Sequence, residues 1–191
     1  MKMTAIEKSF VNRPSHTRRV AGHALQLLYR VNYQDGWRYL DVGCGVGAAA
    51  QEIAATTGLP VTGVDIDPQQ IEAASAGAAS PNPQFKVMNA ARLTFEDGAF
   101  DVVATHMATH HIPDWEQVFC EMARVLRPGG HLIYTDFIFP RWLARIFPRF
   151  IHFAGMPSIA VLNLLASENG LAKVYETRYS GKVDVIWMKN G

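Results

Sequence analysis

"YLDVGCGVGAAA", residues 39–50, decides how this chain is to be read. Its opening residues have the character of a strand, and its closing alanines suit a helix. Between them Gly43, Gly45 and Gly47 put three glycines into five positions. Glycine at a strand-to-helix turn lets the backbone bend sharply and lets a ligand approach it closely. The stretch therefore predicts a strand, a ligand loop and a helix in succession.

On either side, strand-like and helix-like runs alternate. Upstream, residues 15–31 read as a helix, with Val20, Ala24, Leu27, Leu28 and Val31 at helical spacing. Residues 37–42 form a strand and 48–57 a helix. Residues 60–66 form a strand, and 68–77 a helix opened by Pro68 at its first position. Strands follow at 84–88, 100–105 and 131–137, with a helix over 115–126 between the last two. Asp67 and Asp114 are expected to cap the helices that follow them, Gln117 completing a capping box with Asp114. "RPGG" (127–130) is expected to stop the fourth helix before the fifth strand. This rhythm implies an α/β fold with a parallel sheet covered on both faces. The tail departs from it. Residues 158–168 suit a helix, while 172–179, a Ser180-Gly181 turn and 182–189 read as a hairpin.

The chain has 191 residues, 49% of them hydrophobic, which fits one globular domain rather than a disordered chain. No apolar run approaches the roughly 20 residues that span a bilayer, and the N-terminus lacks a signal-peptide core. Cys44 and Cys120 are the two cysteines and show no metal-ligand spacing. These features are read as a reduced, cytoplasmic protein without a metal. Charge is uneven: residues 1–38 carry seven basic and two acidic side chains, 39–136 four and twelve, 137–191 seven and three. The flanks either simply edge an acidic core or face an anionic substrate or lipid. No dense basic run with interleaved aromatics occurs, so no nucleic-acid partner is expected.

Gly43-x-Gly45-x-x-Ala48 after a strand also fits the dinucleotide fingerprint, and Asp65 ends the next strand at the ribose-binding distance. Together they predict an adenosine-type ligand across the carboxyl ends of the strands. Asp41, two residues before Gly43, would be awkward beside a pyrophosphate and could meet a cation, or could merely fix the turn. Asn89-Ala90 follows the third strand, Phe100-Asp101 opens the fourth, and "MARVLRPGGHLIYTDF" (122–137) follows.

In this combination the chain resembles the class I S-adenosylmethionine-dependent methyltransferases of small-molecule type, related to the ubiquinone and menaquinone C-methyltransferases. The resemblance runs from about Trp37 to Phe137. It implies a Rossmann-like seven-stranded sheet, order 3-2-1-4-5-7-6 with strand 7 antiparallel and helices on both faces. It implies S-adenosyl-L-methionine as cofactor, with the backbone of Gly43, Cys44 and Gly45 near its methionine part. Asp65 would accept from the ribose hydroxyls, Ile66 would pack on adenine, Asn89 and Ala90 would meet its edge, and Thr105 would lie near the sulfonium. Each also has a plainer reading: Ile66 and Ala90 as packing residues, Asn89 as a turn residue, Asp65 as a cap. The chain is expected to be one domain, with a helical cap (1–36), a cofactor core (37–137), a variable insertion (138–157) and a final helix and hairpin (158–191).

The expected reaction is methyl transfer to a small acceptor, aromatic, quinone-like or lipid-like. A non-catalytic cofactor-binding domain and, further off, a nucleotide-dependent oxidoreductase are the alternatives. If the acceptor carries a proton, "THMATHHIPDWE" (105–116) offers His106, His110 and His111 as bases. His106 leads because it lies nearest the fourth strand. The acceptor pocket is expected from the N-terminal helix, with Arg18, Arg19 and His23, and from 140–156, where Arg141, Arg145 and Arg149 stand among aromatics. That segment reads as a lid or as a peripheral membrane patch.

Overall fold

Strand β1 (Tyr39–Val42) lies near the middle of a seven-stranded sheet in the computed structural model, which describes residues 12–138 and 155–191. Side chains along each central strand alternate between two cores. Leu40 and Val42 enter one of them, Tyr39 the other. The same alternation sends Val103, Leu132 and Tyr134 to the first core and Val102, Ala104 and Ile133 to the second. A sheet buried on both faces needs helices on both faces. Helix α1 (Pro14–Tyr29) and α2 (Ala48–Thr57) cover the second core with Ala24, Leu27, Leu28, Ala50 and Ile53. Helix α3 (Pro68–Gly77) follows β2 (Val61–Asp65) and precedes β3 (Gln84–Val87). On the first core lie α4 (Trp115–Val125), with Trp115, Val118, Phe119 and Met122, and α5 (Ile159–Glu168), with Leu162 and Ala166.

The remaining strands are β4 (Phe100–His106), β5 (Leu126–Phe137), β6 (Leu171–Tyr179) and β7 (Lys182–Lys189). Their order is β3-β2-β1-β4-β5-β7-β6, with β7 antiparallel to both neighbours, as the resemblance implied. Ser180 (φ 48°) and Gly181 (φ 74°) form the two-residue turn between β6 and β7. Two consecutive left-handed residues give the turn whose twist matches a hairpin.

Two local expectations are corrected. The "RPGG" residues do not separate helix from strand: β5 begins at Leu126 and carries them as an irregularity between the pairs Phe100–Leu126 and Val102–His131. Gly130 runs so close to β4 that a Cβ there would stand 2.7 Å from the Asp101 carbonyl oxygen, and Arg127 Nε bonds the Asp101 carboxylate at 2.5 Å. The stretch is thus a bulge tied to the neighbouring strand. Asp114 occupies the cap position of α4, yet its side chain makes no capping bond. Asp67 does cap α3, Oδ1 accepting from Gln69 N–H at 3.1 Å. Among the described residues no helix is long and apolar enough to cross a membrane.

Candidate functional site

The glycine loop leaves β1 in left-handed backbone at Gly43 (φ 75°), Gly45 (φ 53°) and Gly47 (φ 77°). Two of them also lack room for a side chain. A Cβ on Gly43 would lie 2.5 Å from Ala108 Cβ, and one on Gly47 2.5 Å from the Phe85 ring. At Gly45 no atom crowds the position, so only the backbone angle asks for glycine there. The loop amides point back into the protein. Gly43 and Cys44 N–H both donate to the Val64 carbonyl, at 2.8 and 3.0 Å. Gly45 N–H donates to Asp65 Oδ2 at 3.0 Å, and Asp67 N–H to Asp65 Oδ1 at 2.9 Å.

The loop borders a cavity of about 810 Å³ at the carboxyl ends of β1, β2 and β4. That volume lies toward the upper end of the range typical of small-molecule sites. Asp41, Gly43, Cys44, Gly45, Asp65, Ile66, Asn89 and Ala90 all line it. Ile66 is 43% exposed. Asn89 Oδ1 accepts from Ala91 N–H at 3.0 Å, so its turn role is met. Burial pushes the Asp41 carboxyl up to about 7, with the negative Asp65 adding and a hydrogen bond from Ala50 opposing. Burial also raises Asp65, while the N–H groups of Asp67 and Gly45 hold it down. Two carboxylates crowded into one cavity favour a ligand that brings positive charge and hydroxyl groups. Among the described residues no group of His, Cys, Asp and Glu is arranged to hold a metal ion.

Two of the expected residues, Thr105 and His106, end β4. Thr105 is fully buried, donates to the Val42 carbonyl at 3.0 Å and does not line the cavity. His106, Met107 and Ala108 line it instead. His106 in turn is a poor base. Its Nε2 meets the buried Tyr39 hydroxyl at 3.0 Å, and burial pushes its imidazole down to about 4, with His23 adding and Asp184 opposing. An imidazole held neutral so far below pH 7 has little basicity to offer.

His110 is placed differently. Its Nδ1 lies 2.5 Å from Asp136 Oδ1, and both residues are buried. Asp136 also accepts from Thr109 Oγ1 at 2.5 Å and from the N–H groups of His110 (3.2 Å) and Phe137 (2.7 Å). A carboxylate so held fixes the imidazole with its proton on Nδ1, which makes Nε2 the basic nitrogen. The ring packs edge-on to Phe137 at 5.1 Å and against His111 at 4.0 Å, and its backbone carbonyl accepts from Gly155 N–H at 3.0 Å. His110 and His111 both line the cavity.

From the N-terminal helix Arg19 reaches the cavity lining, joined by His16 and Thr17, whereas Arg18 does not. His23 is engaged elsewhere: its Nε2 contacts both Asp184 oxygens at 3.0 Å and the Tyr179 hydroxyl at 3.1 Å. Arg141, Arg145 and Arg149 lie outside the described residues. Sequence reading missed Asp136, Phe137 and Lys182, the last two of which line the cavity. An aspartate inside the apolar run "HLIYTDF" was the available signal for Asp136. Nothing local marks Lys182, which only the antiparallel course of β7 brings to this edge.

Residues 40–134, about half of the chain, match a methyltransferase domain model. A sterol 24-C-methyltransferase of Gibberella zeae is 38% identical over 115 residues, 58% of this chain and 30% of that one. The 2-methyl-6-phytyl-1,4-hydroquinone methyltransferase of a Synechocystis species is 40% identical over 102 residues, 53% and 32% of the two chains. The chain spans less than half the length of such curated relatives. In fold it resembles the YcgJ protein of a Bacillus species, with a TM-score of 0.74 at 20% identity over 89% of this chain and 99% of that one. The strand order, the glycine loop with its acidic partners and the domain match agree, and the chain belongs to the class I S-adenosylmethionine-dependent methyltransferases.

Proposed function

We propose that this domain transfers a methyl group from S-adenosylmethionine to a small, largely apolar acceptor, with His110 as the base when the acceptor carries a proton. The observation that carries the reading is the direction of the loop amides. A pyrophosphate needs free N–H groups at the first turn. Here those of Gly43 and Cys44 serve Val64, that of Gly45 serves Asp65, and the cavity beyond is lined by carboxylates. This supports a cationic nucleoside ligand over a dinucleotide.

S-adenosylmethionine, when bound, supplies a methyl group on a positively charged sulfur. Asp65 is suited to hold the ribose hydroxyls, Asp41 to face the cationic amino acid part, Ile66 and Ala90 to cover the adenine, and Asn89 to meet its edge. His110 Nε2 takes the acceptor's proton as the new bond to methyl forms, the electron pair of the broken bond remaining on sulfur. Asp136 stabilises the imidazolium that results. Alignment of acceptor and methyl along one line supplies most of the remaining acceleration.

The sterol and hydroquinone relatives support an acceptor with an apolar ring body. Both cysteines are free, which supports a reducing compartment such as the cytoplasm. Peripheral membrane contact through 140–156 rests on its arginine and aromatic content. Equilibrium binding comes first: S-adenosylmethionine should bind and NAD(H) should not, and the reverse outcome would overturn the reading. Labelled S-adenosylmethionine with fractionated cell extract should then yield a labelled small molecule. Cofactor binding without any labelled product would favour a sensor role.

A further inference from the structure

The cavity is lined by charge of both signs. Asp41, Asp65 and Asp67 come from the chain at and just beyond the ends of β1 and β2, and Arg19 comes from α1 and Lys182 from β7. These cations come from the two basic flanks of the chain, 163 positions apart in sequence, and the fold brings both to one cavity. Lys182 and Arg19 both act on His16, which also lines the cavity. Its imidazole is lowered first by burial, then by Lys182 and then by Arg19. Among the described residues neither Arg19 nor Lys182 forms an ion pair, and Asp114, the remaining lining carboxylate, pairs with neither. Cations that line a cavity and form no ion pair there favour an anionic visitor.

A path of ring contacts joins this region to the proposed base. Lys182 Nζ stands 5.1 Å from the centre of the Phe137 ring, and that ring packs edge-on against His110 at 5.1 Å. A ligand held at Lys182 would lay its body along Phe137 and meet the base beyond it. We propose that the acceptor carries an anionic group, such as a carboxylate, held by Arg19 and Lys182, and presents its hydroxyl to His110 across Phe137. This rests on the methyltransferase reading above and narrows its substrate to acidic, hydroxylated ring compounds.

The test uses the full chain saturated with S-adenosylhomocysteine, whose own binding is measured first. 6-Hydroxy-2-naphthoate and 2-naphthol share one ring system and one hydroxyl and differ in the carboxylate. The naphthoate should bind at least tenfold more tightly, and added salt should shrink the difference. In R19Q/K182Q the preference should fall below twofold while S-adenosylhomocysteine affinity stays within twofold of wild type. Equal binding of the two probes, no naphthoate binding, or a preference that survives the double substitution would overturn the proposal. Vesicles of phosphatidylglycerol that sediment the protein through these two residues, without a naphthoate preference, would assign them to a lipid surface and overturn it as well. Failure to bind S-adenosylhomocysteine would instead overturn the methyltransferase reading beneath it.

Discussion

One side of the cavity is cut from a single run of chain between Asp41 and Ala91, whereas the other gathers residues from α1, the β4–α4 loop, the end of β5 and the start of β7. The first side is held by backbone: glycines in left-handed angles, amides turned to Val64 and Asp65, and no room for a Cβ at Gly43 or Gly47. The second is held by side chains, above all the carboxylate of Asp136 beneath His110. A backbone-built surface has few ways to vary and suits a ligand that never changes. A side-chain-built surface can be altered one residue at a time and suits a ligand that differs between relatives.

The largest effect expected from breaking this division is chemical. His110→Ala should lower turnover on a hydroxyl acceptor by roughly 10²–10⁴-fold, the usual contribution of a positioned base. Affinity for S-adenosylhomocysteine should stay within about twofold of wild type. His106→Ala, removing an imidazole already neutral near pH 7, should leave turnover within about threefold of wild type. A large loss of turnover with His106→Ala and none with His110→Ala would reverse the assignment.

Next in size is the seam between the two sides, where Gly43 meets Ala108. Gly43→Ala forces a Cβ into that contact and into positive φ, so urea unfolding should show a loss of about 2–4 kcal/mol. Gly45→Ala, with its open surroundings, should lose clearly less. Asp65→Ala should then weaken cofactor binding at least tenfold, about 1.5–3 kcal/mol, as read by calorimetry.

A smaller effect belongs to Asp41. Burial pushes its carboxyl up to about 7, far above its ordinary value of 3.8. A cationic ligand favours the ionised form. Cofactor affinity should therefore fall as pH drops below about 7, by up to about tenfold per unit, and binding near neutrality should release protons. The sign for stability is opposite. The fold holds this proton more tightly than the unfolded chain does, so the contribution is full below about pH 4 and is lost as pH rises through 7. Asp41→Asn should flatten the binding profile, weaken the cofactor and stabilise the ligand-free protein at pH 8. Calorimetry in buffers of different ionisation enthalpy and thermal melts at pH 6 and 8 check both. The smallest difference expected separates two caps: Asp67→Ala should lose about 1 kcal/mol, and Asp114→Ala under about 0.5 kcal/mol because its side chain makes no capping bond.

The same division explains what could be read in advance. The sheet order followed from a resemblance carried by the glycine loop and the strands near it, and the cavity-lining residues from Asp41 to Ala91 sit within that run. Thr105 is turned inward, because neighbouring strand residues face opposite ways and only its partner, the Val42 carbonyl, reveals which way it faces. His106 was favoured for its place in sequence, yet burial beside Tyr39 strips its basicity, and burial is a product of packing that no single stretch displays. The weight passes to His110 through Asp136, on a strand 26 residues later. Charge asymmetry along the chain hinted that both flanks meet something anionic. It could not show that one residue of each flank, Arg19 and Lys182, would line the same cavity.

Because β7 runs against its neighbours, its first residue rather than its last arrives at the ligand edge. A wholly parallel sheet would bring a strand to that edge only at its finish, where the chain sets out on a long crossover. Here the chain arrives through a turn of two residues, Ser180 and Gly181, with Lys182 as its next step. Exposed turns are where inserted or exchanged residues are best tolerated. A lineage, or a designer, can therefore reset the charge at this edge of the cavity by editing a hairpin tip, leaving the crossover helices and the glycine loop untouched.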